Sequence, residues 1–186
     1  MKKSIINISM AAVLGLAAVG VQAAGTGTII FNGELTDTTC DVDVNGQGAD
    51  ATVTLPTVSV NQLVAAGDVT GRTSFNMNLS NCVVGTIGGH TKVATFFQPG
   101  TTVDLGTGRL KNTTGSATNA SLQLLDASNS FAVINAGNTD QVTDTAYVTI
   151  ASDGTALLPY AVEYYAEGTT TPGTVTSSIV YNLMYQ

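Results

Sequence analysis

The sequence predicts an all-β domain of the sandwich type, on three observations. Short runs rich in valine, threonine and aromatic residues alternate apolar with polar side chains, the period of a half-buried strand. Clusters such as NGQGAD, VGTIGG, KNTTGSATN and NAGNTD separate these runs and carry the residues of turns. Only VNQLVAAG has the composition of a helical turn, and nothing else reads as helix. Many short strands at regular spacing in one chain of this size argue for two packed sheets.

The strands expected in order are Thr28–Leu35, Thr38–Val44, Ala51–Leu55, Ser74–Leu79, Thr91–Phe97, Ser121–Leu125, Phe131–Ile134, Ala146–Ile150, Pro159–Ala166 and Val175–Tyr185. The first and the last stand out. In GTGTIIFNGEL, Gly27, Ile29, Phe31, Gly33 and Leu35 share one face. Thr26, Thr28, Asn32 and Glu34 share the other, with Ile30 as an apolar intruder. In the last strand Val175, Ser177, Ile179, Tyr181, Leu183 and Tyr185 share a face, and the strand runs to Gln186. A long apolar strand with an unpaired edge is an aggregation liability, so this one needs a partner. The two terminal strands could pair with each other inside one sandwich, and periodicity leaves that open.

The N-terminus predicts export. MKK is a positive start, MAAVLGLAAVGV is an apolar run, and VQA places small residues where a signal peptidase cleaves, after Ala23. The run is too short to span a bilayer, which takes about 20 apolar residues, and no later segment is apolar enough to cross. Removing residues 1–23 takes Lys2 and Lys3 with it, leaving four cations against 13 acids and a net charge of −9. So acidic a chain has no electrostatic footprint for nucleic acid or anionic lipid.

Cys40 and Cys82 are the two cysteines. In an exported chain they read as one disulfide, with a pair of buried free thiols as the alternative. The stretch DVDVNG, Asp41 to Gly46, matches the opening of a calcium loop, but Thr52 stands where the bidentate glutamate belongs. It reads instead as a strand ending in an Asn-Gly turn. His90, the single histidine, lies in GGHTK with no nucleophile beside it and no second metal ligand near. The carboxylates are dispersed, and GTG at 25–27 and 106–108 is too short for a phosphate cradle. The expectation is a protein that is not an enzyme, with no catalytic, cofactor or metal site.

Four stretches, taken with the cysteines, carry a family likeness: TIIFNGELTDTTC (28–40), FNMNLSNC (75–82), SLQLLDASN (121–129) and YAVEYYAEGTTTPG (160–173), the last followed by a strand with Tyr185 penultimate. In this order the chain resembles the structural pilins of the chaperone–usher pathway of Gram-negative bacteria, near the major subunit of type 1 fimbriae. The 16 residues from Ala24 to Thr39 ahead of Cys40 are a few fewer than in that subunit and closer to tip-fibrillum subunits.

The resemblance implies an incomplete immunoglobulin-like β-sandwich lacking strand G, completed by a donor strand from another subunit. It implies three parts: a signal peptide at 1–23, an N-terminal donor-strand extension at 24–37 and a pilin domain at 38–186. Gly27, Ile29, Phe31, Gly33 and Leu35 would enter the neighbour's groove, antiparallel to its strand F, as in the strand addition known for chaperone–pilin complexes. Val175, Ile179, Tyr181, Leu183 and Tyr185 would line that groove, and a periplasmic chaperone would hold it and the Gln186 carboxylate until an outer-membrane usher exchanges the strands. The partners implied are identical or related pilin subunits, the chaperone and the usher. The role implied is a cell-surface fimbrium supporting adhesion and biofilm formation. The competing reading is a self-complete secreted immunoglobulin-like binding module, in which residues 28–35 pair with strand F of the same chain.

Overall fold

The computed structural model describes residues 27–84 and 90–186. The export signal expected at 1–23 lies outside them, as do the VGTIGG residues 85–89. The chain divides into two units at Glu34/Leu35, and the fold belongs to the second, Leu35–Gln186.

That unit is a two-sheet β-structure. The strands are β1 (Thr39–Val44), β2 (Val69–Val83), β3 (Lys92–Phe97), β4 (Leu110–Lys111), β5 (Ala120–Asp126), β6 (Ala132–Ile134), β7 (Val148–Thr149), β8 (Ala156–Ala166) and β9 (Tyr181–Tyr185). One sheet runs β1-β2-β8-β5-β4, with β6 paired to β5; the other runs β7-β3-β9, and all pairings are antiparallel. The alternation of β2 turns Phe75, Met77 and Leu79 inward to meet Leu122 and Leu124 of β5 and Leu158, Tyr160 and Val162 of β8. Val93 and Phe97 of β3 close the core from the other sheet. Tyr160 joins the sheets, its ring lying 5.8 Å from Phe75 and 5.3 Å, edge-on, from Phe97. Its hydroxyl accepts the Thr95 N–H at 3.2 Å, which satisfies a polar group the core would otherwise penalise.

Two irregularities have local causes. The β2–β8 register shifts between Thr70 and Thr73, where Gly71 has φ +67° and a Cβ would fall 2.8 Å from the Tyr164 ring, so glycine is required at the bulge. The calcium-like DVDVNG stretch closes β1: the Asp43 carboxylate accepts the N–H groups of Gly46 and Gly48 at 2.8 and 2.7 Å, with Asn45 at φ 50°. Asp43 is a turn residue here.

Several sequence expectations need correcting. Thr28–Leu35 and Ala51–Leu55 form no ladder; the latter has Val53 and Leu55 half-buried, and Pro56, which has no N–H to donate, lies just beyond. Ser74–Leu79 is the middle of the longer β2, whose polar ends carry no apolar alternation. Val175–Tyr185 is laddered only over Tyr181–Tyr185, because its partner β3 ends at Phe97. A four-residue helix, α1 (Gln141–Asp144), occurs where no helix is expected; the Gln141 side chain bonds both the N–H and the C=O of Phe97 at 3.0 Å, pairing with the edge of β3 that faces away from β9 as a peptide of a neighbouring strand would. The turn expected in VNQLVAAG is present as a 3₁₀ turn, Val60–Gln62.

Candidate functional site

The site is the outer edge of β9 and the segment leading into it. Gln186 exchanges hydrogen bonds with Lys92, and the Val180 carbonyl accepts from Gln98 N–H at 2.8 Å. The ladder therefore directs the backbone groups of even-numbered residues toward β3. Farther back the even side is held by residues 112–117. Thr113 N–H donates to Thr176 C=O and Ala117 N–H to Thr174 C=O, both at 3.0 Å. Odd-numbered residues turn their N–H and C=O groups the other way, and among the described residues no strand pairs with that edge of β9. Unmatched backbone groups along a sheet edge are a template for another strand.

The same odd residues carry the apolar side chains. Val175, Ile179, Tyr181, Leu183 and Tyr185 pack against the core yet stay half-buried, while Thr174, Thr176, Ser178, Val180 and Asn182 face solvent. Ser177 shares the inward face, and its Oγ is buried with no hydrogen-bond partner. Two tyrosine hydroxyls reach toward β1 and the loop after it. Tyr181 donates to the Ala49 carbonyl at 2.8 Å, and Tyr185 has a backbone hydrogen bond with Cys40. Burial pushes both hydroxyls above the ordinary tyrosine value, with the nearby Asp50 charge adding to the effect at Tyr181. Cys40 is bonded to Cys82, tying β1 to β2, so the expected disulfide is present. A cavity of about 590 Å³ opens at the other end of the edge, lined by Val58, Leu63, Ala117, Tyr164 and Thr174–Thr176 among others.

The N-terminal residues contrast with this. Ile29, Phe31 and Leu35 are 77%, 88% and 91% exposed. A single exposed leucine means little, but here three large side chains on one face, at positions 29, 31 and 35, are exposed together, with Ile30 exposed on the other face. Gly33 has a backbone any residue can adopt and nothing within 4 Å of a hypothetical Cβ, so its surroundings do not account for a glycine.

Sequence reading missed Asn112, which joins the two segments at the cavity. KNTTGSATN announces a loop and says nothing of its partner, because the amide's bonds reach 62 and 64 residues along the chain. His90 is half-buried just ahead of β3.

A disulfide-linked, immunoglobulin-like sandwich left open beside its last strand has the architecture of fimbrial subunits. The chain belongs to the FimA family, type-1 fimbrial protein A, whose model matches residues 55–186. It is 47% identical over 165 residues to the major fimbrial subunit SMF-1 of Stenotrophomonas maltophilia, covering 87% of this chain and 94% of that one. It is 36% identical over 176 residues to the F17 fimbrial protein of Escherichia coli, covering 94% and 95%. Among solved structures, the P pilus rod subunit PapA superposes with a TM-score of 0.59 at 20% identity, over 78% of this chain and 99% of that one. A chaperone–usher pilus subunit superposes with a TM-score of 0.59 at 23% identity, over 88% and 98%. The protein is a structural subunit of a fimbria.

Proposed function

We propose that the subunit polymerises by donor-strand exchange, residues 27–35 of one copy filling the open edge of β9 in the next. The observation that carries this reading is complementarity within one chain. One segment exposes Ile29, Phe31 and Leu35 on one face, with Ile30 exposed on the other, and an edge elsewhere offers unmatched backbone groups and half-buried apolar side chains at every second residue but Ser177.

The cavity suggests the register. An antiparallel strand with Leu35 opposite Val175 places Leu35, the most exposed leucine among the described residues, at the 590 Å³ cavity. Phe31 then lies opposite Ile179, Ile29 opposite Tyr181 and Gly27 opposite Leu183. Gly33 falls opposite Ser177, where a side chain would be unwelcome. Burying Ile29, Phe31 and Leu35 contributes about 1.5–3 kcal/mol each before ladder hydrogen bonds are counted. Withdrawing the strand uncovers the core, so release is coupled to partial opening and is slow. Each copy gives a strand on one side and receives one on the other; such a heterologous contact does not close, and a filament follows.

The same reading assigns residues 1–23 to a cleaved export signal, 24–37 to the donor extension and 38–186 to the pilin domain. An open apolar edge needs cover before assembly, which a periplasmic chaperone provides while also holding the Gln186 carboxylate; an outer-membrane usher then exchanges the strands. Likeness to a major subunit supports a place in the shaft, with adhesion and biofilm formation as roles of the assembled fibre. Deleting residues 24–35 behind an intact signal tests this. The truncated subunit should accumulate with its chaperone, form no fibres and bind a synthetic 24–39 peptide. An unstable monomer that no chaperone rescues would favour the self-complete sandwich.

A further inference from the structure

Where β3 ends, a side chain takes over its work. Asn112 Oδ1 accepts the N–H of Thr176 at 2.8 Å and of Gly115 at 3.0 Å. Its Nδ2 donates to the carbonyls of Ala117 at 2.8 Å and Thr174 at 3.1 Å. All four hydrogen-bonding positions of the amide are used, and the two segments it joins, at Ala117 and Thr174–Thr176, are both walls of the 590 Å³ cavity. The approach is close enough to exclude side chains. A Cβ on Gly115 would lie 2.1 Å from the Thr174 carbonyl oxygen, and one on Gly173 would lie 2.4 Å from the Ala117 nitrogen. Beyond the β3 ladder, the 174–176 stretch is held on its even side by this clasp and by the backbone bonds from Thr113 and Ala117.

We infer that Asn112 is a positioning residue for strand uptake: it holds the first part of the acceptor edge straight and shapes the cavity that receives Leu35. This rests on the donor-strand reading. Residues 181–185 are held independently by β3. Losing the amide therefore affects the half of the groove that meets Gly33 and Leu35 and spares the half that meets Ile29. Removing it also leaves the Thr176 N–H and the Ala117 carbonyl without a partner, so the stretch would fray rather than reset.

The test uses the chaperone-bound subunit and fluorescent 24–39 peptides: wild type, Leu35→Ala and Ile29→Ala. Asn112→Ala should slow uptake of the wild-type and Ile29→Ala peptides by about tenfold, and of the Leu35→Ala peptide by less than about twofold. Equal slowing of all three peptides would mean a general structural role and overturn the inference, as would no slowing at all. Failure of the wild-type subunit to take up the wild-type peptide would instead defeat the donor-strand reading. Should Asn112→Ala not fold, the isosteric Asn112→Asp keeps both acceptor bonds and loses both donor bonds. The carboxylate oxygen that replaces Nδ2 faces the Ala117 and Thr174 carbonyls and repels them, so the variant should give the same peptide pattern at about tenfold or more.

Discussion

The segments 27–35 and 175–185 have the same sequence signature and opposite surroundings. Both carry apolar residues mainly at alternate positions, with Ser177 breaking the run in the second and Ile30 on the opposite face of the first. The C-terminal one has its even-side backbone tied to β3 and to residues 112–117, and its odd side chains half-buried. The N-terminal one has no strand pairing and leaves Ile29, Phe31 and Leu35 exposed. Period-2 patterning states which side chains want burial and says nothing about the chain that buries them. In a monomeric sandwich an exposed apolar segment and an open sheet edge would each be a liability; on the donor-strand proposal they are the two halves of one joint between copies.

Substitutions at adjacent positions of the acceptor segment should separate the two faces most strongly. Ile179→Asp places a charge on the inward face and should abolish fibres, visible by electron microscopy. Val180→Asp, on the exposed face one residue later, should leave the fibre yield near wild type. Equal effects from the two would mean that the alternation has no role in assembly.

Gly33→Leu tests the donor side. Nothing in the structure clashes with a side chain there, so the subunit should fold, leave the export pathway bound to its chaperone and fail to extend fibres. Normal fibre length from this variant would remove the reason offered for the glycine.

Replacing Cys40 and Cys82 together by serine removes the covalent tie between β1 and β2 and leaves β1 held by its ladder. Denaturant unfolding should show a loss of about 2–4 kcal/mol. The smallest effect expected is alkaline. Tyr185 has a raised folded value, so its contribution is complete below the ordinary tyrosine value of 10.0 and is lost as pH rises through the higher folded one. Tyr185→Phe should flatten the alkaline limb of the thermal-stability profile and leave the neutral region little changed.

Much of this was legible in the sequence. The inward residues of β2, β5 and β8 follow from alternation, and the pairing of Cys40 with Cys82 follows from an even count in an exported chain. The DVDVNG turn was readable because Asp and Asn-Gly have strong local preferences. What escaped was long-range. That β3 stops at Phe97, that the Gln141 amide pairs with its far edge, that the Asn112 amide holds Thr174 and Thr176, and that Val175–Val180 lies outside the ladder all depend on partners dozens of residues away. The short β4 and α1 carry too few residues to show any period.

The central claim is that residues 27–35 lie in the β9 groove of a different copy. Two populations of subunit, one carrying Leu35→Cys and the other Val175→Cys, can be assembled together and oxidised, since opposed strand positions bring Cα atoms to about 5.5 Å, within reach of a disulfide. The account predicts a covalent pair containing one chain of each kind, and covalent ladders when both substitutions are on every chain. A monomer closed by its own 35–175 disulfide, with no bond between copies, would contradict it.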